Sequence, residues 1–241
     1  MSVATKYEVD SVCKAVVSHL EQAWPRTLAE LIRLEYDTRR VEEGFCGLDE
    51  RTRYIRKRSD LLEPAIAIRL ATDFDIPSIL PAAYYMLTTM YVPDELASRC
   101  ERYLLGDSEM LRYYKGKYEL ADLRPEVECI YQAVGYTKDC TNAPLAGTES
   151  DCTKTSNRIY DESMPLWKAS LELQCADPLK RLIELYDKGL DETLCAGCKA
   201  FVRMQAQYEM KDIWNSLSKI FNLSSQRTWS SNIVRLPLAH A

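Results

Sequence analysis

The sequence predicts an all-α protein of stacked helix-turn-helix units that ends in a long C-terminal helix. Three observations predict it. Apolar residues recur at three- and four-residue intervals in nearly every patterned segment, as they do along one face of a helix. Alternating apolar and polar runs, NG or DG hairpin turns and a βαβ rhythm are missing. The chain also repeats itself: ATKYEVDSVCKAVVSHL, from Ala4 to Leu20, realigns with ATDFDIPSILPAAYYML, from Ala71 to Leu87. Ala4, Thr5, Ser11, Ala15 and Leu20 are matched identically by Ala71, Thr72, Ser78, Ala82 and Leu87. Tyr7, Glu8, Val9 and Val12 meet the chemically equivalent Phe74, Asp75, Ile76 and Ile79. Self-similarity of this kind marks a structural unit used twice. The unit reads as the end of one helix, a tight turn plugged by an aromatic residue, and a second helix. Such a unit stacks on its neighbours and carries no chemistry, so it predicts a scaffold or binding module.

The elements follow in order. Val12, Val16, Val17 and Leu20 give a helix from Val9 to about Gln22. Trp24-Pro25 stops it, because a residue before proline avoids helical backbone. Thr27 caps the next helix and Glu30 completes a capping box, with Leu28, Leu31, Ile32 and Leu34 as its stripe. From Gly44 to Ser59 the pattern gives way to a loop. Pro64 opens the lead-in helix of the second copy, where its missing N–H costs nothing, and Ile66, Leu70, Ala71 and Phe74 share a face. The matching lead-in of the first copy would begin ahead of Met1, so the repeat predicts a C-terminal part of something longer. Asp94 starts LASRCERYLL, Gly106 stops it, and Asp107 or Ser108 restarts SEMLRYYKGKYELADL. Pro125 opens EVECIYQAV, and Gly135 to Asn157 reads as a long polar loop. Helices resume near Pro165 and at Asp177-Pro178, the latter with Leu179, Leu182, Ile183 and Tyr186 on one face and Gly189 at its end. The longest runs from Thr193 to about Asn222 on Val202, Ala206, Met210, Ile213, Trp214, Leu217 and Phe221. From Ser224 the chain reads as a polar tail.

Composition excludes several classes. With 241 residues, 46% hydrophobic and 28% charged, the chain has the makings of an ordinary globular core. A net charge of −5 argues against a generic nucleic-acid binder. The opening MSVATKYEVD lacks the apolar segment of a secretory signal, and nine cysteines, an odd number, fit a reducing cytoplasmic or nuclear setting. The uncharged run IPSILPAAYYMLTTMYVP nears the about 20 residues a membrane span needs, but it holds Pro77 and Pro81, plus Ser78, Thr88 and Thr89. It reads as a buried core helix.

Chemistry is sparse. His19 and His240 are the two histidines, and neither lies in a catalytic pattern. No GxSxG, GxGxxG, GxxxxGK[ST] or HExxH occurs, so an enzyme is not expected. Cys195 and Cys198 form CAGC, the two-thiolate knuckle that grips a tetrahedral zinc. Cys140 and Cys152, flanking much of the polar loop, would supply the other two ligands and tie the loop to the last helix. A single CxxC is common, and four unligated thiols are the plainer reading of the spacing. Arg51, Arg53, Arg56, Lys57 and Arg58 form a basic cluster, readable as a nuclear-import or anion patch. Asp49, Glu50, Asp60 and Glu63 balance it, which favours a solvated face. Tyr84-Tyr85, Tyr113-Tyr114 and Tyr118 suit either a binding surface or half-buried helix packing with hydroxyls at the surface, and the second is the plainer.

KYEVDSVCKAVVSHL resembles the closing helices of a BTB (POZ) domain. RLATDFDIPSILPAAYYML, the CAGC pair and the helix ending in IWNSLSKIFNL are similar to the C-terminal region of fungal BTB-domain proteins. The resemblance implies a remnant of BTB helices over 1–24, a BACK-like helical region over 25–223 containing loop 135–157, and a tail over 224–241. It implies a non-enzymatic adaptor that binds a protein partner, such as components of a ubiquitin ligase or a transcriptional regulator. The family has no catalytic residues to carry over. The mixed strand-and-helix BTB core expected ahead of Lys6 is missing, which leaves dimerisation and ligase contact without their usual basis. Apolar surface around Val3, Tyr7, Val12 and Val16 is then expected to self-associate or to bind a partner. The competing reading is a zinc-stabilised helical domain.

Overall fold

The structure is a computed structural model of the chain and describes residues 3–44, 63–89, 105–123, 130, 134, 140–142, 151–158, 161, 177–188 and 194–223. In the first two helices the side chains are described over 10–37. Among these residues every regular element is a helix and no strand occurs. We number the helices α1 (Val3–Ala23), α2 (Leu28–Gly44), α3 (Pro64–Asp73), α4 (Leu80–Thr89), α5 (Asp107–Ala121), α6 (151–158), α7 (Pro178–Lys188) and α8 (Ala196–Ile220). The basic cluster 51–58, the segments after Asp94, Pro125 and Pro165, and the tail from Ser224 fall wholly or mostly outside the described residues.

Local sequence sets most helix boundaries. Thr27 and Glu30 form the expected capping box: the Glu30 N–H donates to Thr27 Oγ1 and the Thr27 N–H to Glu30 Oε2, both at 3.2 Å. The Arg26 N–H adds a bond to the same carboxylate at 2.6 Å, and this bond is the main reason Glu30 is held below the usual carboxylate range. Asp177 caps α7 by accepting the Lys180 N–H at 2.9 Å, and Pro178 occupies the first helical position. The C-termini of α3 and α8 close alike. Ile76 N–H reaches back to Ala71 O at 2.8 Å, and Leu223 N–H to Ser218 O at 2.8 Å, the long bond of a Schellman motif. The left-handed residues there are Asp75 (φ 55) and Asn222 (φ 51), types that tolerate this conformation without being glycine.

The repeat does not fold twice. Where the second copy turns, at Phe74-Asp75-Ile76, the first copy runs straight through Tyr7-Glu8-Val9 inside a continuous α1. The reason is local. Pro77 lacks the N–H that would continue α3, and its counterpart in the first copy is Asp10, which has one. Asp75 accepts positive φ, whereas its counterpart Glu8 remains helical. The two copies are alike in sequence and unlike in backbone.

One hydrophobic core joins the helices. The helices α4 and α8 are its centre: α8 packs on α7, α4, α5 and α2, and α4 on α3, α5 and α8. Residues Leu80 to Thr88 of α4 are buried except Pro81, as expected of a core helix. Among the described residues no helix is long and apolar enough to cross a membrane. On α3 the expected stripe is displaced. Ile66, Leu70 and Phe74 are only half-buried, and Ala65, Ala67, Ile68 and Ala71 form the fully buried face. Small alanines let α4 approach closely, so contact rather than residue size decides which face is inside.

The far end of α8 is a tight junction. Phe221 is fully buried and stacks on Tyr84 of α4, with ring centroids 5.2 Å apart and planes at 22°. Its ring rests on Gly116 of α5, where a Cβ would lie 2.0 Å from the nearest ring atom. Gly116 is therefore required by close approach, not by a turn.

Candidate metal centre

The N-terminus of α8 builds the site. Cys195 is its N-cap, in extended backbone (φ −67, ψ 161), and its sulfur accepts the Cys198 N–H at 3.5 Å. Sulfur thus takes the place of the usual capping oxygen, and CAGC puts both thiols at the positive end of the longest helix. Cys198 points inward and is fully buried, while Cys195 is half-buried. Cys152, the second residue of α6, is fully buried and accepts the Cys195 N–H at 3.4 Å and the Asn142 amide at 3.6 Å. Cys140 enters from the turn at 140–142, and its Sγ lies 3.9 Å from Cys195 Sγ.

The segment carrying Cys152 differs from expectation. Residues 151–158 lie within the anticipated loop 135–157 or directly after it, yet they form a helix. Its buried face is Cys152, Thr153 and Ser156, with the Thr153 hydroxyl donating to Val134 O at 3.5 Å. A helix that buries a thiol and hydroxyls instead of large aliphatic side chains shows no apolar periodicity, so its sequence resembles a loop.

All four sulfurs lie within 4.8 Å of one another. A tetrahedral Zn–S distance of about 2.3 Å sets every sulfur–sulfur edge near about 3.8 Å. The 3.9 Å Cys140–Cys195 edge already matches. The same separation is far from a disulfide bond of about 2.05 Å, and all four cysteines are free thiols. Spacing favoured four unrelated thiols; the fold brings them together into a set that can hold a metal.

The electrostatics suit an anionic cluster. Burial raises the Cys195 pKa, but N–H bonds from Cys198 and Thr141, together with side-chain bonds from Thr141 and Cys198, outweigh it and bring the thiol down to about 5. Burial pushes the Cys140 thiol up, and its bonds to Cys195 and Cys152 add to that rise. Burial and the surrounding bonds thus move the two thiols in opposite directions. A divalent cation would remove the conflict. Four protein ligands close a tetrahedron and leave no open position for substrate, which is the arrangement of a structural site. Among the described residues no other group of three or more potential metal ligands converges, and His19 is exposed on α1.

The tyrosines divide. Tyr84 and Tyr85 are fully buried, hydroxyls included, contrary to the surface placement expected of them. Burial raises Tyr84 to about 12, against the pull of the nearby Arg112 charge. The Tyr85 hydroxyl donates to Asp177 and accepts the Leu179 N–H at 3.0 Å, and burial followed by the Asp177 charge raises its pKa well above normal. Tyr36 of α2 donates to Asp187 at 2.7 Å. Two tyrosines from different helices thus fasten the two ends of α7, a role no motif announced. Tyr113 is buried, while Tyr114 and Tyr118 are exposed with Leu111 on one face of α5.

Compared with family models, curated proteins and solved structures, the chain finds no match in any of the three.

Proposed function

We propose that this chain is a non-enzymatic helical interaction module whose fold is stapled by one zinc ion on Cys140, Cys152, Cys195 and Cys198. The convergence of four free thiols from three separate segments carries the reading. Thiolates are soft ligands, and a closed tetrahedral set of four selects zinc among the common divalent ions. In this reading the ion does no chemistry. It fastens the turn 140–142 and α6 to the start of α8. The binding role rests on exposed apolar side chains: Leu111, Tyr114 and Tyr118 on α5, Met204 and Tyr208 on α8, and Val12 on α1. A BTB-type adaptor acting in the cytoplasm or nucleus, with ubiquitin-ligase or transcriptional-regulator components as partners, is the form of this function that the sequence resemblance favours.

Metal analysis of the purified full chain tests the staple. One zinc per chain is expected, with loss of thermal stability on chelation, because structural zinc contributes about 10–16 kcal/mol of apparent binding free energy in small domains. Metal-free protein whose melting ignores a strong chelator refutes it. A strict monomer on size exclusion that binds no apolar-sensitive dye would count against the interaction role.

A further inference from the structure

We propose that the Cys140–Cys195 edge of the cluster is an oxidation site, through which a hydroperoxide discharges the metal and unfastens α6 from α8. The proposal rests on the zinc reading above and adds a regulation to the same site. Its basis is the unequal exposure of the four cysteine residues. Cys152 and Cys198 are 0% exposed, Cys140 is 6% exposed, and Cys195 is half-buried. Cys195 is the most exposed of the four, and its sulfur lies 3.9 Å from that of Cys140. The backbones behind them differ as well. Cys152 sits in α6 and Cys198 inside the first turn of α8, whereas Cys140 comes from a turn and Cys195 lies just ahead of its helix. Closing 3.9 Å to a bond of about 2.05 Å here draws on a residue in a turn and one ahead of its helix, not on two helical backbones.

The chemistry balances. The Cys195 thiolate attacks the terminal oxygen of the hydroperoxide, the O–O bond breaks, and a sulfenic acid forms as alkoxide or hydroxide leaves and takes a proton from solvent to become alcohol or water. The Cys140 thiolate then attacks that sulfur, the S–S bond forms, and hydroxide leaves and is protonated to water. Two thiolates have lost two electrons, and one peroxide has been reduced by two. The metal keeps only Cys152 and Cys198, half of its ligands, and departs as a divalent ion. The new disulfide holds 140–142 to the start of α8, but α6 loses the metal bridge through Cys152 and keeps there the Cys195 N–H and Asn142 amide bonds to Cys152 Sγ.

The test treats zinc-loaded full chain with one equivalent of hydrogen peroxide. It follows zinc with a chromogenic chelator and maps disulfides by peptide mass. One zinc released per disulfide is expected, with Cys140–Cys195 formed first and reversal by dithiothreitol plus zinc. The Cys13→Ser variant, which removes a partly exposed thiol outside the cluster, should release zinc at the same rate. Retention of zinc while other cysteines oxidise overturns the proposal, as does a first disulfide to any other partner, Cys198 included. A chain that never loads zinc fails the structural reading itself, and that outcome is visible before peroxide is added.

Discussion

Gly116→Ala should destabilise this protein, although the same change in an exposed helix would stabilise it by about 1 kcal/mol through helix propensity. The added Cβ would sit 2.0, 2.2 and 3.0 Å from three atoms of the Phe221 ring. Non-bonded carbons rest at about 3.5–4.0 Å. Relief therefore needs a movement of about 1.5 Å, and the ring has nowhere to go because it is fully buried and stacked on Tyr84. Overpacking of this kind costs about 1–3 kcal/mol, and a contact this short belongs at the upper end. Against the propensity gain, the net loss is about 1–2 kcal/mol. Urea unfolding followed by circular dichroism at the helix band measures it, as a lower midpoint with an unchanged slope. The decisive measurement is the double-mutant cycle with Phe221→Leu. Shrinking the ring removes the clash, so Gly116→Ala should turn neutral or stabilising in that background, with a coupling of about 2 kcal/mol. If Gly116→Ala stabilises the otherwise unaltered chain, or the two changes add independently, the α5–α8 junction described above is wrong.

Two further outcomes follow from the polar contacts. Tyr85→Phe removes the acceptor of the buried Leu179 N–H and the donor to Asp177, and should cost about 1–3 kcal/mol in urea unfolding; Tyr114→Phe on the exposed face of α5 should change nothing. The Glu30 carboxyl is held below its ordinary value of 4.5, so its contribution is present above that pH and is lost as pH falls through the lower folded-state value. Glu30→Gln keeps the box without the charge. The stability difference between the two proteins should therefore shrink on acidification below that value, and a constant difference would contradict the assignment.

Legibility followed the range of each interaction. The Thr27–Glu30 box, Pro64, Asp177-Pro178 and the stripe from Val202 to Phe221 act within one or two turns, and each stands where periodicity and capping chemistry put it. The corner expected at Tyr7 is absent because matching side chains do not set backbone direction. Backbone direction is decided instead by one proline N–H and one residue able to take positive φ. Helix α6 was hidden by its own composition, since thiol and hydroxyl groups hold its buried face. The metal centre was half legible: CAGC marks a knuckle from four residues, but nothing local links it to Cys140 and Cys152. No local pattern marked Gly116 as a close contact, and Tyr84-Tyr85 read as half-buried packing with hydroxyls at the surface.

By itself, then, the sequence determined an all-helical chain, the places where most helices begin and end, and the two-thiol knuckle of CAGC. These depend on residues that touch through a few bonds of backbone, so adjacency carries the information. Tertiary structure alone decided that Phe221 lies on a glycine and that the four sulfurs converge within 4.8 Å. Those outcomes depend on how separate helices pack in space, and packing is fixed only when every surface has found the one that fits it.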